Sequence, residues 1–133
     1  GVSIKPGRPI MLSKFKRKEK LFFGLPGNPI SCAAGLRFFV YPLLRNSLGM
    51  KKEKKFKAKL TNKYFKRKDF THFARCLINV NAKGLGELRV LQGQQSHRIE
   101  SFVKANCWGI FPGGKAQFKS GDIIEWVPLI PSS

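Results

Sequence analysis

Cysteine and histidine are scarce in this sequence, and their spacing excludes the common structural metal sites. The three cysteines and two histidines stand far apart, with no Cys-x-x-Cys pair: Cys32, Cys76, Cys107, His72 and His97. Because a structural zinc site needs about four clustered ligands, we predict no metal site. Cys107 adjoins Trp108 in an apolar context, which favours reduced, buried cysteines in a cytoplasmic protein.

Long apolar runs are also missing. The longest, from Leu36 to Leu44, is interrupted by Arg37 and Pro42, whereas a membrane-spanning helix needs roughly 18 apolar residues. Residues 1–5 lack the basic and apolar regions of a secretory signal, and the missing initiator methionine fits a chain cut from a longer one. We therefore expect no membrane segment and a cytoplasmic location.

Acidic residues number only 7, against 26 lysines and arginines, so the formal net charge is +19. Such a charge favours anionic partners and non-specific contact with nucleic acids. In one interpretation the excess forms a solvated basic surface without a specific nucleic-acid partner. In the alternative, the chain is a basic nucleic-acid-binding module, in which the region from Lys51 to Lys68 follows a phosphate backbone and Phe56, Tyr64 and Phe65 stack on bases. Because lysine far outnumbers arginine and exposed aromatics, we favour the first interpretation.

The first fifty residues have an α/β pattern. Leu21 to Leu25 form a continuous apolar run, which predicts a strand buried on both faces. A helix is predicted from Pro29 to Leu48, with Asn28 as its N-cap and Gly49 as its stop. Pro42 lies inside this helical pattern and predicts a kink or a new short helix.

The pattern changes near residue 50, where we predict a domain boundary. Short apolar or alternating segments separated by turn residues follow, at 70–80, 88–91, 108–111 and 123–127. Several short strands with turn signals between them predict a small sheet or barrel. The expected fold class is an α/β fragment, a strand–turn–helix unit over residues 1–50, followed by a small all-β barrel-like domain over residues 51–133.

Two segments of the first part have the chemistry of an oxyanion site. Lys5 and Arg8 are separated by three positions in a proline-stiffened turn and can converge on one small dianion. The second segment, Pro26-Gly27-Asn28-Pro29, opens the helix, where backbone N–H groups favour phosphate or another oxyanion. Ser31 adds a hydroxyl. Each segment has a plainer interpretation: an exposed basic loop for the first and a capped turn without a ligand for the second.

Taken together, the two segments resemble the molybdopterin molybdotransferase family, which includes the bacterial MoeA proteins and the E domain of gephyrin. The family pattern is a Lys-Pro-Gly-Lys-Pro turn, a buried strand, and Leu-Pro-Gly-Asn-Pro-Val-Ser opening a helix; residues 4–9 and 23–31 match it. The second half matches less closely, at Phe73-Ala74-Arg75, Gln94-Gln95-Ser96-His97, Ala105-Asn106 and Phe111-Pro112-Gly113-Gly114.

The resemblance implies roles for particular residues. The implied molybdate-binding residues are Lys5, Arg8, Pro9, Ser31, Arg75 and Ser96. The implied molybdopterin-binding residues are Pro26, Gly27, Asn28 and Pro29. Two positions depart from the family pattern: Arg8 stands where lysine is usual, and Gln95 replaces a glycine, so that its side chain can crowd the pocket beside Ser96.

The implied reaction is insertion of molybdate into adenylylated molybdopterin, with release of AMP. Both substrates are small molecules, and the full-length protein is expected to be a homodimer. In the family, Mg²⁺ is held through acidic residues upstream of Val2, together with a catalytic aspartate. We therefore assign no catalytic residue and expect the isolated chain to be inactive.

Overall fold

The computed structural model describes residues 4–5, 11–14, 21–24, 28–94 and 98–131, and in the first three ranges it describes the backbone alone. These three ranges are strands β1 (Ile4–Lys5), β2 (Met11–Lys14) and β3 (Leu21–Gly24). β2 and β3 pair antiparallel, with Met11 opposite Gly24. The strand predicted from Leu21 is thus confirmed up to Gly24; Leu25 and the predicted burial of the strand's side chains lie outside the described residues.

The helix begins as predicted, with Asn28 as its N-cap. The Asn28 side-chain oxygen accepts hydrogen bonds from the backbone N–H groups of Ile30 (3.0 Å) and Ser31 (3.3 Å). Pro29 occupies the first helical turn, where a missing N–H breaks no helical hydrogen bond. The cap therefore supplies partners for N–H groups that the helix itself cannot satisfy.

The helical segment consists of α1 (Pro29–Gly35), a π-helical turn (Leu36–Val40) and α2 (Tyr41–Ser47). Pro42 lies in the first turn of α2, which agrees with the predicted new short helix. The wide turn before it, in which the Tyr41 N–H donates to the Leu36 carbonyl, was not predicted. A proline ring clashes with the carbonyl four residues earlier, and a wider turn relieves that clash. After Leu48, Gly49 adopts a φ of 68°, as expected for a helix stop.

A five-stranded barrel follows. Its strands are β4 (Phe56–Leu60), β6 (Thr71–Val80), β7 (Gly86–Val90), β8 (Cys107–Phe111) and β10 (Ile123–Pro128). They pair in the order β6-β7-β4-β10-β8, and β8 pairs again with β6 to close the barrel. The β4–β7 pair is parallel and the others are antiparallel. β5 (Tyr64–Phe65) and β9 (Gln117–Phe118) form a separate antiparallel pair.

The barrel agrees with the predicted fold class, but some of its elements were missed. β6, β7, β8 and β10 correspond to the four predicted strand segments. β4 lies in the lysine-rich region, where Lys57 and Lys59 point to solvent while Ala58 and Leu60 are buried. The short helix α3 (Glu100–Lys104) was not predicted either, because its five residues are too few to establish a helical period.

Two clusters of buried side chains form the core. The first fills the barrel and consists of Ala58, Leu60, Ala74, Cys76, Leu88, Val90, Cys107, Phe111, Phe118 and Ile124. The second lies between the helix and the barrel and consists of Ile30, Ala34, Trp108 and Val127, with Phe38 and Phe73 among its partly buried neighbours. Phe38 of the π-helical turn stacks on Phe73 of β6, with ring centroids 3.7 Å apart. The helix is therefore packed directly against the barrel.

Of the cysteines, Cys76 and Cys107 are free and buried as predicted, whereas Cys32 is only half-buried.

Arg37 is buried where the helix meets the linker to the barrel. Its guanidinium donates two hydrogen bonds to the Glu53 carboxylate, at 2.8 and 2.6 Å, and two to the Pro128 carbonyl, both at 3.2 Å. Two parallel bonds to a carboxylate are the strongest arrangement open to arginine. One residue thus connects the helix, the linker and the last barrel strand. The sequence had marked Arg37 only as an interruption of an apolar run.

Gly109 of β8 faces a barrel interior with no room for a side chain. A Cβ atom there would lie 2.9 Å from the Cys76 sulfur and 3.0 Å from Cε2 of Phe111. We predict that Gly109→Ala lowers the free energy of unfolding by about 1–3 kcal/mol, the usual cost of overpacking a core. Gly113→Ala is the matched control, because a Cβ atom at Gly113 meets nothing closer than 3.6 Å. Urea denaturation measures both; equal stability of the two variants would contradict this packing.

Candidate functional site

Arg75 is the charged residue at the centre of the candidate site. It lies on β6 between Ala74 and Cys76, which face the barrel interior, so its own side chain leaves the opposite face of the strand. It is completely buried. Its Nε donates a hydrogen bond to Ser101 Oγ (3.0 Å) and its Nη2 donates to the Gly93 carbonyl (2.9 Å). Ser101 belongs to α3, so this helix covers the guanidinium.

Gly93 and Ser101 also contact each other, which closes a triangle of hydrogen bonds with Arg75. Ser101 Oγ donates to the Gly93 carbonyl at 2.8 Å. Gly93 has a φ of 76°, a left-handed conformation that glycine adopts without steric cost. The glycine thus allows the chain to turn so that its carbonyl accepts from both side chains.

Gln94 extends this network to the backbone of β6. Its Oε1 accepts from the Arg75 N–H (2.9 Å), and its Nε2 donates to the carbonyls of Arg75 (2.8 Å) and Leu91 (2.6 Å). The pairing of β7 with β6 ends at Val90 opposite Cys76. Beyond that point the Leu91 N–H still donates to the Arg75 carbonyl at 3.1 Å, and the Gln94 amide adds a second donor to this carbonyl and the acceptor for the Arg75 N–H. The sequence had identified the Gln94–His97 segment but not this role.

Burial lowers the pKa of Arg75 but leaves its guanidinium protonated. Desolvation lowers the pKa of the Arg75 guanidinium to about 10, which still leaves it protonated at neutral pH. The Ser101 hydroxyl and the Gly93 carbonyl, which accept from its N–H groups, are themselves uncharged. Arg75 is therefore a buried, protonated guanidinium held by at least these two acceptors.

The N-terminal basic turn starts close to Arg75. β1 pairs parallel with β6, and Lys5 lies opposite His72. The strands are parallel, and Lys5 is thus three residue positions from Arg75 along β6, roughly 10 Å at ~3.3 Å per residue. The Lys5 side chain, Arg8 and Pro9 lie outside the described residues.

The remaining predicted residues are only partly described. Ser31 is buried in the first turn of α1, and Asn28 is engaged as the cap. Pro29 is exposed. Pro26, Gly27 and Ser96 lie outside the described residues. The structure therefore brings Lys5 and Arg75 onto one sheet by their backbones.

A buried polar pair, missed by the sequence analysis, lies beside this region. The Tyr64 hydroxyl hydrogen-bonds to Nδ1 of His72, which is buried on β6. Burial raises the pKa of the Tyr64 phenol well above its usual range. Nothing in the spacing of these residues predicted the contact, since Tyr64 belongs to a separate two-residue strand.

The contacts of Tyr64 and Phe56 bear on the nucleic-acid alternative. Tyr64 is partly buried and packs against the barrel core, and Phe56 packs on Trp126 with ring centroids 4.9 Å apart. Of the three aromatics proposed to stack on bases, Phe65 is 64% exposed and Phe56 46% exposed, whereas Tyr64 is half-buried. The three described side chains therefore do not form a row of fully exposed stacking aromatics.

Several cavities lie near these elements, and one of about 250 Å³ is lined by Ser101 and Leu91 among others. Another, of about 560 Å³, separates α2 and the linker from the barrel, and none of the described candidate residues lines it. A smaller one, of about 180 Å³, is lined by Gln94, His72 and Lys66 among others, and so adjoins the Arg75 network.

Within the described part of the chain, no three acidic, histidine or cysteine side chains could hold a metal ion together. No helix in the same part is long and apolar enough to cross a membrane.

Comparison with known proteins identifies one family. The family model of the MoeA C-terminal region (domain IV) matches residues 57–129. Molybdopterin molybdenumtransferase of Haemophilus influenzae is 31% identical over 131 residues, which are 96% of this chain and 32% of that protein. The Bacillus subtilis protein of the same name is 29% identical, over 93% of this chain and 29% of its own length.

Solved structures agree on the fold. A molybdopterin biosynthesis MoeA protein from Pyrococcus horikoshii superposes with a TM-score of 0.74 at 23% identity, over 95% of this chain and 30% of its own. A molybdenum cofactor biosynthesis protein from Pyrococcus furiosus gives 0.73 at 22% identity, over 95% and 43%. The chain thus spans about a third of the length of the curated relatives it matches.

The contacts of the Ser101 hydroxyl predict that its removal lowers the free energy of unfolding. Ser101→Ala deletes the acceptor of Arg75 Nε and leaves a buried charged donor without it, so we expect a loss of about 1–3 kcal/mol in the free energy of unfolding. Ser120→Ala is the control, because the Ser120 hydroxyl donates to the Thr61 carbonyl at an exposed position. Urea denaturation of both variants tests this; a loss no larger than that of the control would contradict the triangle.

The burial of Tyr64 predicts that its phenol loses its proton at an unusually high pH. Tyr41→Phe leaves Tyr64 as the only tyrosine, and the phenolate absorbance should then develop at higher pH in the folded protein than in guanidinium chloride. Because the unfolded state loses its proton first, above about pH 10, Tyr64 makes folding less favourable as the pH rises beyond that point. A rapid pH jump, read before unfolding, gives the measurement; titration at the same pH in both states would refute the burial of Tyr64.

Proposed function

We propose, because this chain belongs to the family of the MoeA C-terminal region (domain IV), that it supplies part of the site at which molybdate is inserted into adenylylated molybdopterin, with release of AMP. The relatives named above are molybdopterin proteins several times longer than this chain. The proposed activity is therefore that of a longer protein, and the isolated chain is proposed to be inactive.

The parallel pairing of β1 with β6 is the observation that carries this proposal. It brings the start of the Lys5–Pro9 turn to within about three residues of Arg75 along the same sheet. A basic turn and a buried arginine that reach one region provide charge from two parts of the chain, which suits a tetrahedral dianion. The net charge of +19 adds a general attraction for anions.

Individual residues receive roles within this proposal. Molybdate is bound by Lys5, Arg8, Pro9, Ser31, Arg75 and Ser96. Molybdopterin is bound by the loop Pro26, Gly27, Asn28 and Pro29, with Asn28 also acting as the helix cap. Residues 1–50 complete an α/β domain and residues 51–133 form the separate β domain. The full-length protein is a homodimer.

Magnesium does not fit the described part of this chain. Mg²⁺ prefers several oxygen ligands, and the described residues contain no cluster of three acidic, histidine or cysteine side chains. The role of this chain is consequently to bind and orient the oxyanion, and no step is assigned to a metal held by it.

The proposal is tested by molybdate-dependent cofactor formation in the full-length protein. Arg75→Lys keeps a cation but loses the planar guanidinium, and at subsaturating molybdate we expect the rate to fall by about tenfold or more, as for loss of a hydrogen bond to a charged group. Arg89→Lys on the exposed side of β7 is the control and should leave the rate unchanged.

Two results would contradict the proposal. In the first, the full-length protein forms cofactor at a rate that does not depend on molybdate. In the second, Arg75→Lys matches Arg89→Lys while the thermal unfolding of both variants remains normal.

A further inference from the structure

The cavity of about 560 Å³ lies between α2 and the linker on one side and the barrel on the other. Its apolar wall consists of Phe38, Pro42, Met50, Phe73, Ile110 and Val127. Two of these side chains, Phe38 and Phe73, are the rings that stack on each other. Small organic ligands bind in cavities of roughly 300–1,000 Å³ that are lined mainly by apolar and aromatic side chains. The size and the wall of this cavity therefore suit a small organic molecule.

The same cavity carries an excess of positive charge. Four cations and one carboxylate line it: Arg37, Arg45, Lys52, Lys55 and Glu53. Arg37 and Glu53 form the ion pair of the helix with the linker, at 2.6 Å, so their charges offset each other. Four cations minus this one leave three. No acidic side chain in the described part of the chain forms an ion pair with any of these three.

Arg45 has a defined position at the cavity, because uncharged acceptors hold it. Its Nε donates to the Lys51 carbonyl at 3.1 Å, and its Nη1 donates to the Tyr41 hydroxyl at 3.0 Å. The guanidinium also lies over the Tyr41 ring, 5.7 Å from its centroid. None of these contacts brings a negative charge to the guanidinium. The cavity therefore combines an apolar wall with three cations that have no anionic partner among the described residues.

We propose that this cavity binds a small organic anion with an aromatic or apolar body. The body packs against the apolar wall, where the area it removes from water stabilises the complex. The anionic group, a carboxylate, sulfonate or phosphate, faces Arg45, Lys52 and Lys55. The two lysines are exposed, and their flexible side chains can follow the anionic group. None of the described candidate residues for molybdate lines this cavity, so the inference does not depend on the function proposed above.

Two probes with the same naphthalene ring test the inference: 1-naphthalenesulfonate, which is an anion, and 1-naphthalenemethanol, which is neutral. Equilibrium dialysis against the full-length protein at low ionic strength gives the Kd of each probe. We expect the sulfonate to bind about three- to tenfold more tightly than the alcohol, as for two or three exposed ion pairs. It should lose this advantage in about 1 M salt, which screens exposed charges.

The double substitution Lys52→Gln and Lys55→Gln removes two of the three cations. The Kd of the sulfonate should rise about three- to tenfold, while the Kd of the alcohol stays within about twofold of the wild-type value. Lys54→Gln with Lys57→Gln is the matched control. These two lysines are exposed in the same part of the chain but do not line the cavity, so the control removes the same charge and should leave both Kd values unchanged.

Asn46→Trp tests where the probes bind. Asn46 is an exposed residue of α2 that lines the cavity, so an indole there fills part of the cavity without replacing a buried side chain. Both probes should bind about tenfold more weakly or worse, because less of the apolar wall is open to them. Ser47→Trp is the control, since the next residue of α2 is exposed and does not line the cavity. Thermal unfolding establishes that each variant is folded.

Three results would overturn the proposal. In the first, neither probe binds the full-length wild-type protein, as happens if another part of that protein occupies the cavity. In the second, the two pairs of lysine substitutions weaken sulfonate binding equally, so that general attraction by the net charge explains it. In the third, folded Asn46→Trp binds both probes as tightly as Ser47→Trp. None of these measurements uses molybdate, so their failure and that of the proposed function are distinguishable.

Discussion

A buried guanidinium joins the chain at the end of β7 to α3. Arg75 lies with no exposed surface beneath α3, and a buried charge is costly unless its hydrogen bonds are made. The Gly93 carbonyl, just after β7, and the Ser101 hydroxyl of α3 accept two of those hydrogen bonds. The same contacts hold α3 against β6 beside the candidate site.

The attachment of the helix to the barrel has a different physical basis. It relies on aromatic packing, with Phe38 stacked on Phe73 and edge-to-face against Trp108, and on the ion pair of buried Arg37 with half-buried Glu53. Aromatic pairs add a modest stabilisation beyond the area they bury, and both Glu53 carboxylate oxygens accept hydrogen bonds from the Arg37 guanidinium. Phe73 and Arg75 lie two residues apart on one face of β6. The helix packing and the candidate site are thus built on the same strand.

The sequence was sufficient where local rules decide the structure. The Asn28 cap followed by Pro29, the stop at Gly49 and the apolar strand segments of the barrel each depend on neighbouring residues, and each was predicted. β4 was missed because lysines occupy its exposed positions and obscure the alternation that Ala58 and Leu60 create. The π-helical turn before Pro42 was missed because the sequence does not distinguish a kink from a wider turn.

The candidate site was less accessible to sequence reasoning, because its contacts join residues far apart in the chain. Arg75 was identified through the family resemblance, yet its partner Ser101 is 26 positions away and has no local signature. Gln94 was noticed as part of a motif, but its bonds to the Arg75 backbone become visible only once the strand is known to end at Val90. Arg37 and Tyr64 were misjudged for a related reason, since the burial of a polar residue depends on what packs over it.

The central claim is that a basic N-terminal turn and the Arg75 network converge on one tetrahedral oxyanion. Its most direct test is anomalous diffraction at the molybdenum absorption edge from crystals of the full-length protein soaked in molybdate. We expect a peak between the Lys5–Pro9 turn and the chain around Gln94, on the side of β6 that carries Arg75. A molybdenum peak found only elsewhere, with this position empty at saturating molybdate, would contradict the convergence of the turn and the Arg75 network on one oxyanion.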